Sequence, residues 1–337
     1  MNAVVVERPG KVGIQRVDDP TSGPREVLVQ VDACGICGTD IHILEGELPS
    51  TRYPIVPGHE FSGEVVAAGR EVEHVRVGDL VAVDPNLPCR ECHLCQAGRE
   101  NLCQNYNAIG VTRAGACAEL VAAPAANAFV LPADLPRAWG TLVEPLSCAV
   151  HGFDRLGAKL ADRYLIYGAG TMGLLMAQLA QRTGAATVDV VDVKESRLPV
   201  AKRLGADRTA TSADELDGPP GWEVVIDATG VVAAIEDGLR RVARGGTFLM
   251  FGVTPAEAAA TFSPFRIYNE EINIIGSMAV LHSFERARDL LVGGAIDAAA
   301  MITHTMALDS YQAAIAAFRS GTGLKVQVTP AGNDQTQ

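Results

Sequence analysis

Tyr164-Leu165-Ile166-Tyr167-Gly168-Ala169-Gly170-Thr171-Met172-Gly173 decides the fold of the second half of this chain. The first four residues read as a short buried strand. They run without a break into G-x-G-x-x-G, and a helix-like run over 171–182 follows. A lone G-x-G-x-x-G is weak evidence, but between a strand and a helix it marks a dinucleotide-binding turn. Gly168 allows the tight turn, Gly170 lets backbone approach a pyrophosphate, and Gly173 lets the helix pack on the strand. Thr171 and Met172 open the helix, so the phosphates would face the positive end of its dipole.

The next strand, 187–191, ends at Asp192, nineteen residues past Gly173. A carboxylate there accepts hydrogen bonds from the adenosine ribose and repels a 2′-phosphate. This favours NAD over NADP. Arg197, five residues on, is the opposing signal, since an arginine near this strand end can hold a 2′-phosphate. Glu195 adds a negative charge beside it.

Working outward, strand-like and helix-like runs alternate from about residue 138 to 282. That alternation predicts βαβ units and a doubly wound parallel sheet, with residues 139–282 as the nucleotide-binding domain. Before it, short β-branched runs at 27–31, 64–67, 80–83 and 119–122 are broken by Gly and Pro turns, which predicts an all-β, barrel-like domain. After a helix over 284–293 the tail reads as irregular until a strand at 324–328. No helix follows that strand to cross a parallel sheet, so 283–337 is expected to rejoin residues 1–138. Residues 331–337 are expected to fray.

The chain has 337 residues, 48% of them hydrophobic, a net charge of −12 and a pI near 5.1. The length suits two domains with a core each. An acidic surface argues against nucleic acid and anionic membrane as partners. The N-terminus lacks the pattern of a signal peptide, and no apolar run approaches a membrane span. A cytoplasmic protein is expected, in which eight cysteines need a use other than disulfides.

Four of them, Cys89, Cys92, Cys95 and Cys103, lie in one short loop as C-x2-C-x2-C-x7-C. Four thiolates so spaced suit one closed, tetrahedral Zn²⁺ that holds a loop and does no chemistry. Two local disulfides are the alternative. A second set is scattered: Cys37, then His59-Glu60, then Glu144. Cys, His and carboxylate are ligands of a catalytic zinc with a position left open. Singly these residues are weak signals.

Together, Gly35-Ile36-Cys37-Gly38-Thr39-Asp40, Pro57-Gly58-His59-Glu60, the four-cysteine loop, Glu144-Pro145-Leu146, Gly168-Ala169-Gly170 and Gly276-Ser277 resemble the zinc-dependent medium-chain alcohol and polyol dehydrogenases. The likeness runs over nearly the whole chain in the right order. It implies a GroES-like domain carrying two zinc ions, a Rossmann domain carrying NAD, an active site in the cleft between them, and a homo-oligomer, dimer or tetramer. It assigns Cys37 and His59 to the catalytic zinc and leaves Glu60 and Glu144 as competing further ligands. A glutamate at 144 matches the sorbitol dehydrogenase branch, where plain alcohol dehydrogenases have cysteine. The resemblance makes Thr39 the first acceptor of the alcohol proton, which passes through the nicotinamide ribose to His42 and then water.

The expected reaction is hydride transfer from a polyol or sugar-like secondary alcohol to NAD⁺. Threonine, an aldose, an aminocyclitol or a polyol phosphate are alternatives on the same scaffold, and the segment 45–53, with Arg52, should line the substrate pocket. A non-catalytic homologue is disfavoured, because such proteins lose metal ligands first. Cys34, Cys117 and Cys148 read as core, and His74, His93, His151, His282 and His304 as structural.

Overall fold

The structure, a computed structural model, describes residues 1–216 and 220–330 and the backbone of Gln335–Thr336. Most of the expected frayed end, 331–337, therefore lies outside the described residues. Two units emerge: residues 1–147 with 280–294 and 298–337, and residues 148–279 with 295–297.

In the second unit six parallel strands form one sheet. Across it they run Arg208–Ala210, Thr187–Val191, Arg163–Tyr167, Trp222–Asp227, Val242–Met250 and Asn273–Gly276. In sequence order that is 3-2-1-4-5-6, the arrangement of a dinucleotide-binding sheet. Three of the inner strands hold buried apolar residues, 164–167, Val188 with Val190 and Val191, and 224–226, as a parallel sheet covered on both faces requires. Leu165, Val191, Val225 and Phe248 form one buried cluster with Leu239 of the helix Val232–Arg241. Charges sit inside as well: Asp227 is fully buried, as is Asp189, whose carboxylate accepts from Arg208 Nε at 2.9 Å and Nη2 at 2.6 Å and from Trp222 Nε1 at 2.7 Å. A buried carboxylate is tolerated when its oxygens are taken in this way.

The first unit is built on an eight-stranded sheet ordered Gln335–Thr336, Ile302–Ala307, Lys325–Thr329, Glu26–Gly35, Glu60–Ala68, Leu80–Val83 and Ala128–Val130, with Leu120–Pro124 paired on Glu26–Gly35. The C-terminal tail thus returns to the N-terminal sheet. Its core gathers Val27, Val29, Val31, Phe61, Val65, Val326 and Val328. The tail is not irregular, as the sequence suggested. It holds the helix Tyr311–Ser320, whose Tyr311, Ala314 and Ile315 are buried. The unit boundary also falls after Ser147 rather than after 138. The reason is local: Ser62 Oγ donates to the Arg137 carbonyl at 2.8 Å, and Thr141 Oγ1 donates to Gln327 Oε1 at 2.9 Å. Those bonds tie 137–142, and with them Glu144 in the first turn of the helix Val143–Leu156, to the β unit.

Candidate metal centres and nucleotide turn

The four-cysteine loop is pinched off by two short antiparallel strands, Asn86–Leu87 and Asn107–Ala108. All four thiols are free, and their sulfurs lie within 4.8 Å of one another. Cys92 Sγ is 3.5 Å from Cys95 Sγ, and Cys89 Sγ is 4.0 Å from it. A tetrahedron with zinc–sulfur bonds of about 2.3 Å has edges of about 3.8 Å, so the cage fits zinc. Backbone N–H groups point at the sulfurs: Cys92 N donates to Cys89 Sγ at 3.4 Å, and Cys89 N and Asn105 N to Cys103 Sγ at 3.3 Å each. Such donors favour thiolate. Those of Cys95 and then Gln104 bring Cys92 down to about 6, whereas burial drives Cys95 up to about 12. His93 is exposed beside the cage and is no part of it.

The second centre is assembled by the sheet. Cys37 is the N-cap of the helix Gly38–Glu45, where its own N–H donates to Asp40 Oδ2 at 2.8 Å. Gly35 pairs with Glu60 in the Glu26–Gly35/Glu60–Ala68 ladder, which sets His59 and Glu60 opposite Cys37. The ligand atoms of Cys37, His59 and Glu60 lie within 4.8 Å of one another, and this soft-plus-hard donor set suits zinc. Glu144 is not in that group of three. Its charge nevertheless reaches His59 and Lys325, and its carboxyl is buried. Burial opposes charging His59, but the Cys37 sulfur bonded to it, with Asp40 and Glu144, outweighs burial and holds its pKa well above the ordinary value.

Two partners here were not legible in the sequence. Lys325, from the strand Lys325–Thr329, forms a buried ion pair with Glu60 Oε2 and donates to the Ile36 carbonyl at 3.4 Å. Asp40 Oδ1 stands 3.9 Å behind His59 Nδ1, and neither atom has another hydrogen-bond partner among the described residues. At 3.9 Å the contact is electrostatic; brought to hydrogen-bond distance, Asp40 would fix the ring and tautomer of a ligating His59. Thr39 Oγ1 lies 3.8 Å from Cys37 Sγ. His42, in the last turn of the same helix, has its Nδ1 2.6 Å from Glu47 Oε2. Arg52 is exposed; Cys34 and Cys117 are fully buried, but Cys148 is only partly so.

In the other unit Gly170 is the N-cap of the helix Thr171–Arg182, whose first-turn N–H groups follow directly on the fingerprint turn. Those N–H groups, Thr171 and Met172 among them, are the ones an anion would take. A β-carbon on Gly173 would lie 1.8 Å from the Gly168 carbonyl oxygen, so glycine there is obligatory for the helix to approach the turn. At Gly170 the space is open apart from Arg197 Nη1, 3.8 Å from where a β-carbon would stand. Asp192 accepts from Ala169 N at 2.7 Å and Lys194 N at 2.8 Å, with Arg197 Nη1 3.4 Å away. The carboxylate is thus locked to the fingerprint turn, and its charge is partly offset.

Residues 23–133 match the alcohol dehydrogenase GroES-like domain and residues 171–293 the zinc-binding dehydrogenase domain. D-arabinitol dehydrogenase 1 of Uromyces fabae is 39% identical to the chain, covering 98% of it and 97% of the relative. The chain belongs to the zinc-dependent medium-chain dehydrogenases. An L-threonine 3-dehydrogenase of Alteromonas mediterranea is 33% identical, over 94% of this chain and 95% of its own. The crystal structure of a candidate zinc-binding dehydrogenase of Sinorhizobium meliloti 1021, bound to NADP, superposes with a TM-score of 0.94 at 37% identity, covering 98% of this chain and 99% of that one. The GroES-like plus Rossmann architecture expected from the sequence is borne out, and this dehydrogenase is an oxidoreductase using a nicotinamide cofactor. No helix among its described residues is long and apolar enough to cross a membrane.

Proposed function

We propose that this dehydrogenase oxidises a polyol or sugar-like secondary alcohol to the ketone with NAD⁺. The observation that carries the reading is the Cys37–His59–Glu60 cluster, with Glu144 in electrostatic reach, in a chain 39% identical to a D-arabinitol dehydrogenase. When bound there, zinc supplies a Lewis acid that lowers the pKa of an alcohol; the fall of water from about 15.7 to about 7 suggests a gain of about 12 kcal/mol. Cys37 and His59 hold that metal. Lys325 holds Glu60 by an ion pair, which leaves Glu144 as the carboxylate beside the substrate. Thr39 takes the alcohol proton and His42 passes it to water. Cys89, Cys92, Cys95 and Cys103 hold a second zinc that fixes their loop.

Asp192 supports NAD: its charge disfavours a 2′-phosphate. Arg197 beside it makes the preference modest, about tenfold in kcat/KM, or about 1.4 kcal/mol. Asp192→Ala should invert it. A dimer or larger homo-oligomer is supported by the last sheet strand, Asn273–Gly276, which is an edge. Phe265 and Tyr268, on the helix that precedes it, are 71% and 82% exposed. Eight free cysteines fit a reducing, cytoplasmic setting.

L-threonine is the second reading, favoured by the relative 33% identical over 94% of the chain. NADH formation with pentitols, hexitols, L-threonine and simple secondary alcohols separates the two. Highest kcat/KM for a polyol supports the first reading; highest for L-threonine replaces it with the second.

A further inference from the structure

The helix Gly38–Glu45 ends at Gly46, in a left-handed conformation (φ 79°, ψ 21°) where a β-carbon would also strike Pro9. That turn reverses the chain. Gly46 N donates to the Ile43 carbonyl at 3.3 Å and Glu47 N to the His42 carbonyl at 2.9 Å. These are the paired bonds of a Schellman closure, which folds the residue after the glycine back over the residue five positions earlier. The facing side chains in such closures are commonly apolar. Here they are Glu47 and His42, with Oε2 2.6 Å from Nδ1. The neighbouring carboxylate, Glu45, is engaged elsewhere, by Arg319 at 2.5 Å.

An ionised carboxylate only accepts, so the hydrogen between the two sits on Nδ1. In neutral His42 this leaves Nε2 bare, with its lone pair directed away from Glu47. The imidazole side chain is 33% exposed, within reach of water. We infer that Glu47 is a positioning residue for proton release: it fixes the His42 tautomer in which Nε2 is the acceptor. The inference rests on the reading of Thr39 and His42 as the proton exit. The alcohol proton arrives at Nε2, giving an imidazolium whose Nδ1–H stays on Glu47, and Nε2 then gives that proton to water or buffer.

Two measurements on the full-length enzyme test this. The first is NMR of protein labelled with ¹⁵N-histidine, with His42→Gln identifying the resonances. The wild type should show a protonated Nδ1 and an unprotonated Nε2 for neutral His42, and Glu47→Leu should show an averaged pair. The second is steady-state oxidation of the best polyol. Glu47→Leu should lower kcat about three- to tenfold with KM unchanged, less than the roughly 100-fold of a lost general base because only orientation is removed. Glu47→Asp should recover part of the loss, and the double variant with His42→Gln should be no slower than His42→Gln alone. An Nε2–H tautomer in the wild type, or an unchanged spectrum in Glu47→Leu, overturns the inference whatever the rates. A slow His42→Gln beside a fully active Glu47→Leu overturns it while the proton exit stands. A fully active His42→Gln removes the proton exit and the inference with it.

Discussion

Lys325 and Glu60 are among the most deeply buried charges of the zinc-binding unit, with side chains 3% and 2% exposed. Burial pushes the Lys325 pKa down, but Glu60 first, then Cys37 and Glu144, outweigh it and hold it above the ordinary value. Removing one member of a buried pair costs about 3–5 kcal/mol, because the other charge is left alone. Zinc held by Cys37 and His59 would give Glu60 an alternative partner. Lys325→Met should therefore cost clearly less stability in zinc-loaded enzyme than in chelator-treated enzyme, as read by urea unfolding of both forms. Equal costs would show that Glu60 does not turn to the metal. Cys37 and His59 were legible in the sequence because each sits in a short motif whose residue types carry the chemistry. Lys325 was not, because its partner lies 265 residues away. The one hint was a lysine heading the alternating Lys325–Thr329 strand, KVQVT. Glu47 was equally hidden: its role depends on the reversal at Gly46, which spacing alone does not reveal.

At the scale of elements, the two metal centres differ in what they hold together. The cysteine cage closes a loop with almost no apolar core, whereas Cys37 caps a helix inside a packed sheet. Cys95→Ser should lose one of two zinc equivalents and lower the melting temperature. Cys37→Ala should lose the other, together with activity, and melt near the wild type. Metal analysis and calorimetry read both; the reverse pattern would exchange the roles. A second element-level network lies in the nucleotide unit. Tyr167 Oη donates to Asp237 Oδ2 at 2.5 Å, and Arg241 Nη2 donates to Asp237 Oδ1 at 3.2 Å. Burial pushes the Asp237 carboxyl up, but Tyr167 and Arg241 outweigh it and hold it below its ordinary 3.8. A lowered carboxylate pKa stabilises the fold above the ordinary value and loses that contribution as pH falls through the lowered one. Asp237→Asn should cost about 1 kcal/mol at pH 7 and progressively less below about pH 4, by denaturation across that range. Most strands of this unit were legible because they hold apolar runs, whereas Arg208–Ala210, RTA, was not, being short and mostly polar. The helix Tyr311–Ser320 carries its own signal, Tyr311, Ile315 and Phe318 at i, i+4 and i+7, but the alanines between them in YQAAIAAFRS blur it.

For the whole molecule, the doubly wound parallel sheet was legible from alternation and fingerprint, because βαβ units admit few other arrangements. The order of the eight-stranded sheet could not, since it brings 325–329 against 26–35 through contacts no local pattern encodes. Substrate choice follows from what that sheet assembles. Glu60 is taken by Lys325, or by the metal once it is bound, so the carboxylate beside the metal ligands that remains to meet a substrate is Glu144, whose charge already reaches His59. A carboxylate accepts hydrogen bonds and donates none. It therefore rewards a substrate with a second hydroxyl next to the one being oxidised. That bond, to a charged acceptor, is worth about 1.5–3 kcal/mol. It converts to about 10- to 150-fold in kcat/KM at tenfold per 1.36 kcal/mol. A secondary vicinal diol should exceed the matching mono-alcohol by that factor with NAD⁺ saturating, and Glu144→Gln should shrink the ratio, because an amide accepts more weakly. Equal kcat/KM for diol and mono-alcohol in the wild type would mean that Glu144 does not read the second hydroxyl and that the polyol assignment fails.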